Sequence, residues 1–496
     1  MTLMRISRIN SFVMIICVVI LGMSCSESTK HNKVSIIGKV SLEGLISFEG
    51  VSVYLYKANV VQEDLSTIHQ EHSSVGFTME DMHFFEHREF VPLYCTTTNP
   101  EGVFEFESVE QNEYIMVLLC DGYGPVYKYN FEASTDLVDA TPQEPIVLRE
   151  IITIPQYVSS DYTFETGRAY YAEEDVTFLP ESQLIFQGGS TLLICPGKGI
   201  VCYGAVSYQS SLQSPVRITS GDCIYDTAKE PEQFSKFEIS SLASIANIEG
   251  LLFSYSMDGF VIKSSDFTMQ ECVFKYNNIA CLLNTGSRGH IANTYFMESR
   301  GVDKEGLYLH AVSDFEVGNC VFQGIDTKAL SIVYGQDIQV CNCWFDGGKY
   351  QLFNSFSSHT EVVHCSFSGA AYGLTNTAQS TLDIQNCDVA GEVCVYTYHT
   401  GNQGNSISNG WTRANYNNFT GSTNTVRATA QFYTYQHEYV LMDFKNNYWG
   451  TINQTVIEQS IIDFNDLEPY PQPGNIWPLI EFVPFRTSEV VDAGIQ

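Results

Sequence analysis

The chain is short of positive charge. It has 25 Lys and Arg against 57 Asp and Glu, a formal net charge of −32 at pH 7. A surface of that sign repels phosphate backbones and anionic headgroups, which argues against nucleic acid as a partner. It suits a soluble exported protein; no cofactor is called for, although Ca²⁺ is one that such a surface admits. Long apolar runs are also scarce. Only Phe12 to Leu21 is unbroken, too short for a stable membrane-spanning helix, and nothing later is apolar enough for a second membrane segment. Full cysteine pairing is excluded: of 15 Cys, two lie in the leader, and the remaining 13 are an odd number. What the chain does have is apolar content, 44% over 496 residues, enough for a large core and for two or three domains.

The leader has Arg5 and Arg8 ahead of its apolar run, then Leu21-Gly22-Met23-Ser24-Cys25. Small residues before a Cys resemble the lipobox of bacterial lipoproteins, with Met23 standing where a smaller residue is commoner. The resemblance implies a signal peptide over 1–24, lipidation at Cys25, and a polar tether from Ser26 to Lys33. The expected address is the bacterial cell envelope, as an outer-membrane or surface lipoprotein touching membrane only through that anchor. A plain signal peptide or an uncleaved anchor is the alternative.

Residues 34–150 read as a small β-sandwich. Val34–Val40, Val51–Tyr56, Val103–Glu107 and Tyr114–Leu119 are strands by β-branched content and alternation. Asn99-Pro-Glu-Gly102 and Asp121-Gly-Tyr-Gly124 mark turns. The order carried by Gly38, Val40, Gly50 to Leu55, Thr98 to Phe106, Tyr114 and Gly122-Tyr123 resembles the carboxypeptidase regulatory-like domain. That family implies a transthyretin-like, non-catalytic appendage. An insertion, Lys57 to Pro92, holds His69, His72, His83 and His87. His83-Phe-Phe-Glu86-His87 matches H-x-x-E-H, a pattern that can hold zinc when it lies on a helix of a metalloprotease. Within a sandwich it reads as a solvated amphipathic loop, so no metal is expected and His83 with His87 is a speculative site only.

A repeat governs the rest. Phe253, Phe274, Phe296, Phe322, Phe345, Phe367 and Val389 are spaced by 21, 22, 26, 23, 22 and 22 residues. Two positions before these residues stand Cys272, Cys320, Cys343, Cys365 and Cys387, and three before stand Asn293, Asn319, Asn342 and Asn386. No 3.6-residue pattern runs through a unit. Each unit instead holds three short strands, such as Cys343–Phe345, Tyr350–Phe353 and Thr360–Val363. One turn per ~22 residues with three strands per turn predicts a coil of parallel β-helix, each strand ~4.8 Å above its equivalent. Phe and Cys then form interior columns of free thiols and stacked rings, and Asn tolerates the bends. Cys341 and Cys343 form a C-x-C with no second pair to complete a zinc site. The Asn column resembles the asparagine ladders of right-handed parallel β-helix proteins, a pectin lyase-like fold. That resemblance covers roughly 155–486, where the opening and closing coils look like those of β-helix lipoproteins. The fold class expected is all-β, a sandwich followed by a β-helix.

Function is less legible. Motifs of pectate lyases and polygalacturonases are missing. Glu298, Asp326 and Asp346 follow the Phe column by two, four and one residues and are weak catalytic candidates if they form an acidic stripe, although solvated turns explain them as well. Arg300, Lys304, Lys328 and Lys349 lie in the same turns. The reading that results is a non-catalytic β-helix on a sandwich stalk, binding extracellular polysaccharide or a surface protein. The alternative is a polysaccharide lyase or glycoside hydrolase with a groove along the coil.

Overall fold

Parallel pairing of each strand with its equivalent one repeat later is the rule from Ile152 to Ile462 in the computed structural model. The structure describes residues 33–58, 69–70, 72–77, 84–134, 137–225, 231–245, 247–263, 266–357, 359–378, 380–401, 411–420, 425–432, 439–463, 466 and 477–496. The leader with Cys25, and His83, lie outside them. Within the repeat starting at Asn342 the strands are Trp344–Asp346, Tyr350–Ser355 and Thr360–Val363. Each contributes an alternating inward file to one core.

The first inward file reads Tyr170, Leu192, Ile218, Phe253, Phe274, Phe296, Phe322, Phe345, Phe367, Val389, Phe419. Its rings from Phe274 to Phe367 stack nearly parallel, with centroids 4.6–5.2 Å apart. The ring spacing follows the strand spacing, so like side chains meet face to face. Val176, Ile200, Phe237, Phe260, Cys281, Leu307, Leu330, Leu352, Leu374, Val395 and Val426 supply the second file. The interior is not apolar throughout. Asn354 and Asn376 are fully buried, bonded to each other at 3.0 Å and onward to Thr360 and Thr412.

The coil turns into its Phe strand through one left-handed residue: Glu271, Asn293, Asn319, Asn342, His364, Asn386, Tyr416 and Asn446 have φ between 47° and 61°. Asn is enriched there because its short polar side chain tolerates this conformation. The next position is Cys272, Thr294, Cys320, Cys343, Cys365, Cys387, Asn417 and Asn447. The sharp turn withdraws its N–H from the strand ladder, and from Cys320 to Asn417 the side chain one coil above accepts it. The Cys320, Cys343 and Cys365 amides donate to the sulfurs of Cys343, Cys365 and Cys387 at 3.4–3.5 Å. The Cys387 and Asn417 amides donate to Asn417 Oδ1 and Asn447 Oδ1 at 2.8 Å. Each thiol in turn donates to the carbonyl two residues back, at 3.2 Å for Cys320, Cys343 and Cys387 and 3.4 Å for Cys365. The file thus needs S–H groups that both accept and donate. Burial pushes the thiols of Cys343, Cys365 and Cys387 well above the usual range, which keeps the proton in place. None of the 13 described cysteines is joined in a disulfide.

Ahead of the coil, two four-stranded sheets, holding Lys33–Leu42 and Ser52–Lys57 respectively, enclose a second apolar core. The described end of the insertion, from Phe84 to Arg88, is not a solvated loop. Phe84, Phe85, Glu86, His87 and Arg88 are buried against the side of the coil. The outward file Leu252, Val273, Tyr295, Val321 is apolar, and Val75, Phe77 and Phe84 cover it. Tyr295 Oη donates to the Phe77 carbonyl at 3.0 Å. Gly76, at φ 69°, lies so close that a Cβ there would meet Tyr295 Oη at 2.3 Å. Residues 490–496 run back down the same side, with Val490, Gly494 and Gln496 amides donating to Asn418, Asn386 and Asn342.

Two outcomes follow for the thiol file. Cys343→Ala strands the Cys320 amide and is expected to cost about 1–3 kcal/mol in denaturant unfolding, with Cys343→Ser costing less. Iodoacetamide should label exposed Cys95 in the native protein but reach Cys320, Cys343, Cys365 and Cys387 only after denaturation, read by mass spectrometry.

Candidate functional site

The three acids singled out by spacing do not form a stripe. Glu298 occupies the corner file that continues as Gly324 and Gly347, because its amide bonds to the Gln323 carbonyl and the Gly324 amide to that of Asp346. Asp346 belongs to the neighbouring strand file, between Gln323 and Ser368, and accepts from Ser368 Oγ at 3.0 Å. Asp326 is ion-paired to Lys304. Glycoside hydrolysis needs two carboxyls facing one bond; these three sit in different files, and two are engaged. Of the basic residues, Lys328 pairs with Glu305 at 2.6 Å and Arg300 with Glu89 at 2.8 Å.

The described part of the H-x-x-E-H segment, Phe84 to His87, is packed into the interior. His87 is fully buried, with Nδ1 2.8 Å from Tyr127 Oη and Nε2 2.9 Å from the Ile224 carbonyl. The carbonyl can only accept, so Nε2 carries the proton and Nδ1 accepts from the tyrosine. Neither nitrogen is left for a metal. Glu86 takes both arms of Arg88, at 2.8 and 2.9 Å, and Arg88 continues to Thr219 Oγ1 and the Ser220 carbonyl on the coil. Burial alone would raise the Glu86 carboxyl; the Arg88 guanidinium holds it well below the carboxylate range. Burial lowers His87 to about 4, since an imidazolium would face Arg88 and Arg217, despite Glu86 nearby.

A different feature has the character of a site. On the outside of the sheet formed by the second strands, aromatic rings stand on four of the five consecutive coils from Glu305–His310 to Asp388–Gly401, a span of about 20 Å. Tyr308, Phe353 and Tyr396 occupy one outward file, and Tyr350 and Tyr372 another. Tyr350 stacks on Tyr372 at 5.1 Å, and Tyr372 meets Tyr396 at 5.4 Å. Each of these rings is partly exposed. At the adjoining corner Tyr334 and Phe356 stack at 5.0 Å and 20°, with the edge of His310 against Tyr334. They are 53% and 50% exposed.

The corner pair is costly by local criteria. Its file runs Ala311, Tyr334, Phe356, Ala378, all at φ 51–58°. A small residue serves this left-handed turn in the coils on either side, whereas a bulky one there is strained and leaves apolar area in water. Lys328 Nζ stands 5.0 Å over the Phe353 ring and Lys349 Nζ 5.0 Å over that of Tyr350, giving the face a polar border. Sequence reading missed this face because its rings come from different repeat positions. The interior column accounts for many of the Phe, and the 22-residue steps from Tyr350 to Tyr372 and from Tyr334 to Phe356 are the signal the sequence holds.

Residues 239–389 match the family described as right handed beta helix region. The matched stretch holds the Phe and Cys columns from Phe253 to Val389 and most of the aromatic face. No curated protein and no solved structure matches the chain.

His87 makes stability depend on pH in a known direction. Its folded value, about 4, lies below its ordinary 6.5, so between these limits the unfolded chain takes up a proton that the native protein refuses. Stability contributed above pH 6.5 is lost as pH falls through that window, by about 2 kcal/mol at pH 5 from this residue alone. Denaturant unfolding at pH 7 and 5 should show a smaller loss for His87→Gln than for the wild type.

Proposed function

We propose that the chain is an exported, lipid-anchored, non-catalytic carbohydrate-binding protein of the bacterial envelope, whose β-helix presents the aromatic face to a polysaccharide. The observation that carries this reading is the Tyr334–Phe356 stack, half-exposed at turns where the neighbouring coils use alanine. Sugar rings offer C–H faces to aromatic π-systems and hydroxyls to polar neighbours, and a face whose rings are spread over about 20 Å suits several successive sugar units. A rigid parallel sheet holds those rings in fixed register, which limits the entropy lost on binding. The sandwich, resembling the carboxypeptidase regulatory-like domain, and the anchor at Cys25 would hold this face away from the membrane. Partners of this class call for no cofactor, and the Lys304 ion pair of Asp326 and the Ser368 hydrogen bond of Asp346 occupy two of the three acids considered for cleavage.

A glycan array probed with the full chain should identify a saccharide, and calorimetry should then give its affinity. Tyr334→Asn with Phe356→Asn is expected to weaken that affinity by about tenfold to thirtyfold, while unfolding stability stays within about 0.5 kcal/mol for each exposed substitution. Unchanged affinity in the double variant would overturn the assignment of the face. Release of reducing ends or unsaturated sugars from the bound glycan would overturn the non-catalytic reading.

A further inference from the structure

A cleft of about 450 Å³ lies where the sandwich meets the first coils. The strand Val126–Ala133 forms one wall, through Tyr127 and Tyr129. The outer side of the coil forms the other, through Arg168, Thr191, Ser214 and Arg217, with Arg149 at the crossing between domains. Three guanidinium groups line this space and no carboxylate does. In a chain with 57 acids and 25 bases, that is a local reversal of charge.

The three arginines differ in how far they are committed. Arg168 is neutralised by Glu43 and Glu165, both at 3.0 Å, and ties the domains together. Arg217 is buried, its guanidinium 4.5 Å over the Tyr127 ring, with Nη1 donating to the Phe85 carbonyl at 3.0 Å and Nη2 to Tyr129 Oη at 3.3 Å. Its nearest carboxylate, Glu86 at 3.8 Å, is already gripped by Arg88 at 2.8 Å. A guanidinium has five N–H donors, and among the described residues Arg217 fills only these two bonds. Arg149 makes a single bond, from Nη1 to the Thr166 carbonyl at 3.3 Å, and has no acid within ion-pair distance among the described residues. Arg217 is thus a fixed, incompletely satisfied cation, and Arg149 an exposed one able to close on a ligand.

We propose that this interdomain cleft is a recognition site for an acidic sugar unit, its carboxylate or sulfate group received by Arg149 and Arg217 and its ring lying against Tyr127. Guanidinium forks match planar or tetrahedral oxyanions in two-point contact. The volume exceeds what a bare anion needs and falls in the range of small-molecule sites, and the junction of two domains is where such sites concentrate. This site is separate from the aromatic face and stands or falls independently of it.

The test is calorimetry on the full chain with glucuronate, a sulfated monosaccharide, glucose and inorganic sulfate at low salt. Binding of either acidic sugar, weakened at least tenfold by Arg149→Gln and by raised salt, and unaffected by Tyr334→Asn with Phe356→Asn, is the expected result. The carboxylate and sulfate arms separate the two sources of the oxyanion. Equal binding of glucose, binding of inorganic sulfate as tight as that of the sugars, unchanged affinity in Arg149→Gln, or no binding by either acidic sugar would each overturn the proposal.

Discussion

The structure depends on the vertical hydrogen bonding of one coil to the next, and that bonding survives only if each coil turns at the same place in the same way. A left-handed residue at the entry to the Phe strand provides the turn, from Glu271 through Asn446. The cost is an amide withdrawn from the ladder, and an unsatisfied buried amide is as damaging as a lost hydrogen bond. The thiol file resolves this. A cysteine is small enough for the interior, weakly polar enough to be tolerated there, and able to accept from below while donating beside itself. Where the file reaches Asn417 and Asn447 an amide takes over, with shorter bonds of 2.8 Å. The aromatic column is then a consequence of register: once strands superimpose, Phe must stack on Phe.

Much of this was legible in the residues. The 22-residue step gave the coil, because period and strand length together admit few other architectures. The interior placement of Phe and Cys followed from their sharing one position across repeats. The hydrogen-bonding reason for cysteine was not legible, since it comes from a backbone turn whose handedness no side-chain pattern announces. Nor was the buried Asn354–Asn376 pair, because a single polar residue in an inward file looks like any turn residue. The insertion misled for a related reason. Glu86, His87 and Arg88 are polar and sit between sandwich strands, so they read as solvated; the surfaces that bury them, at Thr219, Ser220 and Ile224, come more than 130 residues later.

Both candidate surfaces follow from how the chain covers itself. The insertion and residues 490–496 together shield the outward file from Leu252 to Trp344. The rings from Tyr308 to Tyr396 are not shielded to the same degree, and the corner pair is half in water. The buried Glu86–Arg88 pair fixes the sandwich against the coil, and with it the walls of the arginine-lined cleft. A buried pair of this kind contributes little net stability but is expensive to break on one side, which makes it a means of positioning. The fold thus supplies two rigid surfaces of different chemistry, one aromatic and one cationic.

The proposed function requires a saccharide to lie on the aromatic face. Hydroxyl-radical footprinting with mass spectrometric readout, with and without the bound glycan, tests it residue by residue. Tyr334 and Phe356 should lose reactivity on binding while Tyr157, 71% exposed and at the far end of the coil, keeps it. Unaltered reactivity at Tyr334 and Phe356 in a demonstrably bound sample would contradict it.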